Sequence, residues 1–114
     1  MTTEEIEKRN AEIAKYLGGI YDSSRNVWTF TTTSCHFLQY NSSYDWLMQA
    51  VEIIIDNNSS VIYIDGPGYT NPDQFNCTFL PDHKDGTESK DIDMKQAIFI
   101  AVSDYCIRMN AKVK

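Results

Sequence analysis

Basic side chains, histidines, cysteines and long apolar runs are all scarce in this chain, and each shortage removes a class of protein. Lys and Arg number 10 against 16 Asp and Glu, a formal net charge of −6 over 114 residues. Non-specific nucleic-acid binding runs on clustered positive charge, so this balance argues against it. The cysteines are Cys35, Cys77 and Cys106. They are odd in number and form no CxxC pair, which suits neither a disulfide framework nor a zinc knuckle and fits a reducing compartment. The longest apolar run, Ala97 to Val102, is far too short for a membrane span, so no membrane partner is expected. The acidic opening Met1-Thr2-Thr3-Glu4-Glu5 has none of the features of a signal peptide. The phosphate-binding glycine patterns and the nucleophile elbow are missing. Only His36 and His83 are available as bases, so covalent catalysis has little to draw on.

What is present reads as an ordinary globular domain. Apolar residues make up 42% and charged residues 23% of the chain, and the length fits a single domain over residues 1–114. Thr2 and Glu5 form a capping box, after which Ile6, Ile13 and Leu17 follow one helical face until Gly18-Gly19. The spacing predicts a helix over 3–17. Val27 to Thr33 and Cys35 to Tyr40 read as two strands, with Asp22 to Asn26 as a loop before them. Asn41-Ser42-Ser43 supplies the next cap, with Asp45 completing a box from Ser42. The helix that follows runs to about Asp56. Its polar positions, Asp45, Gln49, Glu52 and Asp56, make one narrow stripe, and apolar residues cover the remainder. A helix with so wide an apolar surface needs more than one packing partner, and this predicts a homo-oligomer.

Val61 to Asp65 reads as a strand, Gly66-Pro67-Gly68 as a turn, and Gln74 to Leu80 as a half-buried strand with Phe75, Cys77 and Phe79 on one face. Pro81 to Lys90 reads as a charged loop. A last helix begins near Asp91, with Met94, Ala97, Ile98, Ala101, Tyr105 and Met109 in phase and Phe99, Ile100 and Val102 widening the stripe. The predicted order is α-β-β-α-β-β-α. This is an α+β fold with a mainly antiparallel, four-stranded sheet packed with helices.

Three stretches carry a family resemblance: Asn10 to Gly18, Phe37 to Glu52, and Ser89 to Tyr105. The chain resembles small accessory proteins of tailed bacteriophages and prophages, of the group described as phage ABA-sandwich domains. Those proteins share a Leu-x-Tyr-His-x-Ser-Trp-Asp-Trp-Leu-Met core. Here Tyr40 and Asp45-Trp46-Leu47-Met48 match it, Asn41 stands in place of His, and Tyr44 in place of the first Trp. The resemblance covers roughly half the chain and supplies no catalytic residues. It implies a phage protein at work in the cytoplasm of a bacterial host. On that footing the expected function is non-enzymatic binding. The protein would antagonise anti-phage defence by sequestering a nucleotide signal or by blocking a host protein. A small enzyme that cleaves such a signal, and a virion or assembly component, are the alternatives.

The most site-like segment is the loop from Asp65 to Asp73. Backbone amides at Gly66 and Gly68 are suited to an anion, and Tyr69 to stacking on a base. The candidate ligand-binding residues are therefore Gly66, Gly68, Tyr69 and Thr70, with Lys84, Lys90 or Arg25 to offset phosphate charge. Cys35, His36, Cys77 and His83 are poor zinc ligands, because neighbours on a strand face opposite ways and Cys77 is in phase with the core. No metal or cofactor is expected. Glu52 and Asp56, one helical turn apart, read as a solvated face. Trp28, Tyr40, Tyr44, Tyr63 and Tyr69 would suit a nucleotide only if several of them line one pocket.

Overall fold

The computed structural model describes residues 1–31, 33–58, 61–65, 75–80, 87–91 and 93–112, with the strands after residue 60 given by their backbone apart from Cys77. The elements are α1 (Thr3–Tyr16), β1 (Ile20–Asp22), β2 (Val27–Thr29), β3 (Ser34–Cys35), α2 (Tyr44–Asn58), β4 (Val61–Asp65), β5 (Phe75–Leu80), β6 (Thr87–Asp91) and α3 (Met94–Lys112). The α+β class holds. The described strands, however, form two three-stranded antiparallel sheets, β1-β2-β3 and β4-β5-β6, rather than one sheet of four.

Both strands missing from the sequence reading lack the usual signals. In β1, Ile20 and Tyr21 are exposed, so no burial alternation marks it. It is held by its pairing with β2, in the register Ile20 to Thr29 and Asp22 to Val27. In β6, Thr-Glu-Ser-Lys-Asp is polar throughout, and backbone pairing with β5 carries it, from Phe75–Asp91 to Phe79–Thr87. Because Asp91 belongs to that strand, α3 starts later than predicted. Asp93 caps it, its Oδ1 accepting from Lys95 N at 2.9 Å. β2 ends early as well: Phe30 N donates to Thr33 O at 2.7 Å, closing a turn where the strand was expected to continue.

The helix ends follow their caps. Thr2 Oγ1 accepts from Glu5 N at 3.2 Å. At the other end of α1, Gly18 has φ +89°, Gly18 N donates to Lys15 O and Gly19 N to Ala14 O, the paired bonds of a Schellman motif. Gly19 serves packing too: a Cβ there would lie 2.7 Å from Phe30 Cε1 and 3.0 Å from Ala14 O. For α2 the cap is Ser43, whose Oγ accepts from Trp46 N at 3.4 Å, and not Ser42 with Asp45.

The core sits around α3, which packs against α1, β5 and β6 and touches α2. Ala97, Ile98, Phe99, Ala101, Val102, Ser103, Tyr105 and Cys106 are all buried. Phe99 and Val102 were expected there, and Ser103 and Cys106 extend the buried surface further, because α1 covers one side of the helix and the second sheet another. On α2 the buried set is Leu47, Ala50, Val51 and Ile54, one face at spacings of 3, 1 and 3. Ile53 is 47% exposed, so part of its apolar excess stays uncovered in the single chain.

Arg9 fastens α1 to α3. Its Nη1 donates to Asp104 Oδ1 at 2.6 Å and Ser103 Oγ at 2.7 Å, while Glu5 holds the guanidinium from the side at 3.3 Å. Ser103 is tolerated in the core because it also donates to Ile100 O at 3.1 Å. Among the described residues no helix is long and apolar enough to cross a membrane.

Candidate binding clefts around the first sheet

Of the predicted ligand residues, Gly66, Gly68, Tyr69, Thr70 and Lys84 lie outside the described residues, and Lys90 is described by its backbone alone. Arg25 is exposed in the β1–β2 turn. The aromatic set does not converge on one pocket among the described residues: Trp28 lines one cleft and Tyr40 another. Tyr44 lies instead beneath the Lys95 ammonium, 5.4 Å from its ring centre.

The three thiols are held in the neutral form. Burial raises Cys77 to about 12, pushes Cys106 up as well, with Glu12 adding to it, and raises Cys35. A catalytic thiolate needs the opposite shift. His36 is exposed, and no group of three metal-binding side chains occurs among the described residues. Glu52 is exposed, in keeping with a solvated face.

Two clefts flank the first sheet. The cleft on the α2 side, about 400 Å³, is walled by Leu17, Phe30, Tyr40, Trp46 and Ile53, with Thr31, Thr33, Ser34 and Gln49 as polar points. Trp46 meets Tyr40 edge-on at 5.3 Å. The cleft on the α1 side, about 640 Å³, runs between α1 and the first sheet. Its aromatic wall is Trp28, Tyr21 and Phe37, and its polar groups come from Asn10, Glu7 and His36 together with Asn26 and Asn41.

The second cleft is shaped by one residue of the β1–β2 turn. Asn26 adopts φ 52°, a left-handed conformation that asparagine tolerates better than most residues. Its Oδ1 accepts from Tyr21 Oη at 2.6 Å, and its backbone O accepts from His36 Nδ1 at 3.1 Å. Tyr21 is thereby fixed beside Trp28, ring centres 5.3 Å apart. A carbonyl can only accept, so His36 carries its proton on Nδ1, and the neutral ring presents Nε2 as an acceptor. The turn is further set by Asp22, whose carboxylate accepts from Ser24 N and Oγ. That contact pulls the Asp22 carboxyl below its usual range.

The sequence reading missed Asn10, Glu7, Tyr21, Asn26 and Phe37 as site residues. One signal was available: Asn10 stands in phase with Ile6, Ile13 and Leu17, a polar residue on the apolar face of α1. It is 5% exposed and donates from Nδ2 to Asn41 Oδ1 at 2.9 Å.

No family model, no curated protein and no solved structure matches the chain.

Proposed function

We propose that the chain is a small, non-enzymatic phage accessory protein that acts by binding, and that it antagonises bacterial defence by blocking a host protein. The observation that carries the protein-binding mode is the exposed apolar surface of the first sheet and the segment after it. Phe37 is 75% and Tyr21 46% exposed, and both line the α1-side cleft, while Ile20, 72% exposed, stands on the other face of β1. Contiguous exposed apolar side chains with polar neighbours mark a partner surface. The neutral thiols support binding over covalent chemistry. Sequestration of a nucleotide signal is the second mode. It rests on the loop bearing Gly66, Gly68, Tyr69 and Thr70 and on Lys84 and Arg25.

The test is native mass spectrometry of the purified chain after exposure to lysate of phage-infected bacteria. A stoichiometric protein complex, lost in a Tyr21→Ser/Phe37→Ser double variant, is the expected result. A nucleotide adduct without a protein adduct would overturn the protein-blocking mode in favour of sequestration, and turnover of that nucleotide would favour the enzyme. The homo-oligomer belongs to the same proposal. Exposed Ile53 on α2 favours self-association through that face of the helix, burying at least about 1,000 Å² in all. Light scattering at micromolar concentration that returns the monomer mass would remove it.

A further inference from the structure

The α1-side cleft is rich in hydrogen-bond acceptors. Asn10 lines it, and its Oδ1 is buried with no hydrogen-bond partner among the described residues. Glu7 contributes a carboxylate and lies exposed at the rim. His36, its Nδ1 proton committed to Asn26 O, leaves Nε2 as a third acceptor. Among the described residues no Lys or Arg lines the cleft, so none of them offers a phosphate positive charge there. Trp28, Tyr21 and Phe37 give it aromatic faces and edges, Ile6 and Leu38 aliphatic ones, and Asn41 an amide beside Asn10. A buried acceptor without a donor is costly, and aromatic rings beside a carboxylate favour a cation. A ligand that meets all of these conditions donates several N–H bonds, carries positive charge and is flat enough to lie against a ring. Guanidinium does so, and ammonium, which is compact and not planar, fits the aromatic wall less well.

We infer that the α1-side cleft binds a guanidinium group, presented as an arginine side chain by a protein partner. The choice of a protein as its source rests on the protein-binding reading above, whereas the guanidinium chemistry stands on the cleft alone. In this arrangement the guanidinium stacks on Trp28 with the tilted Tyr21 ring beside it, donates to Asn10 Oδ1 and Glu7, and is closed over by Phe37. The Asn26 contacts to Tyr21 and His36 hold the pocket open in the unbound state, so little side-chain ordering is needed on binding.

The experiment is a 1H–15N NMR titration of the intact chain with an acetylated, amidated Gly-Arg-Gly peptide. Matched lysine and citrulline peptides and agmatine serve as comparisons. The Trp28 indole and Asn10 amide signals should shift with the arginine peptide. The citrulline peptide, which keeps the shape and loses the charge, should bind at least about tenfold more weakly. Glu7→Gln, at an exposed position, should fold normally and weaken the arginine peptide by at least about threefold. Phe37→Ser should weaken it too. No shift at Trp28 or Asn10, or equal responses to the arginine and citrulline peptides, would overturn the assignment. A lysine peptide binding as well as arginine would overturn guanidinium in particular. Agmatine binding more tightly than the peptide would overturn a protein source. If the arginine peptide binds but infected lysate yields no protein complex, the host-blocking reading falls and the cleft chemistry stands.

Discussion

Five consecutive residue pairs join each strand of the β4-β5-β6 sheet to its neighbour; three pairs and then two join those of β1-β2-β3. The longer sheet is backed by α3, and Cys77 on its central strand is fully buried against it. The shorter sheet exposes Ile20 and Tyr21 and lines both clefts. One sheet therefore holds the core together, and the other displays side chains. A short sheet with few pairs has little stability of its own, so it depends on local devices: the Asp22 turn, the Asn26 contacts and the seat of Phe30 on Gly19.

That contrast can be broken at graded positions. Phe99→Ala empties a fully buried site on α3 and should cost about 3–5 kcal/mol in denaturant titration. Leu47→Ala on α2 should cost about 2–5 kcal/mol by the same measurement. A loss under about 1 kcal/mol at either residue would mean that the core is not where α3 and α2 put it. Gly19→Ala forces a methyl against Phe30 and a backbone oxygen, for about 1–3 kcal/mol. That loss should come with a change in Trp28 and Trp46 fluorescence, since both border the first sheet.

The thiols sharpen the comparison through pH. The folded state raises Cys77 to about 12 from an ordinary value of 9.0, so the unfolded chain loses its proton first. Stability should be flat below about pH 9 and then fall toward pH 12, by at most about 1.4 kcal/mol per unit for this group. Stability that rises over that window would contradict the burial. At pH 8, Cys35 beside the first sheet should react with a thiol reagent well before Cys77 and Cys106. The smallest effect is at Phe37, where Ser should change stability by less than about 0.5 kcal/mol. A large loss there would show Phe37 to be structural and remove it from the binding surface.

The same division explains what could be read from the residues. All three helices were legible from their caps and periodicity, β4 from its short apolar run ahead of the Gly66-Pro67-Gly68 punctuation, and β5 from its alternation. β6 was not, since Thr87 to Asp91 has no apolar alternation and its position follows from pairing with β5. β1 and the end of β2 failed for a related reason: three-residue strands are fixed by turns, and the turn chemistry of Asp22 and Asn26 was read only as a loop. The predicted site was drawn from glycine punctuation around Gly66 and Gly68. The α1-side cleft joins Asn10, Asn26 and Phe37 from three separate segments, and no local pattern brings those together. Asn10 alone left a trace, as a polar residue out of place on an apolar helix face.

The Arg9 contact has a consequence for how the chain is made. Arg9 and Asp104 are separated by 95 residues, so α1 finds its partner on α3 only after the residues between them have been made. At about 5–20 residues per second the wait is roughly 5–20 s. Through that interval Ile13 and Ala14 have no α3 to cover them. The core thus closes as a late event, and a chain arrested before α3 would present the uncovered face of α1 to chaperones and proteases.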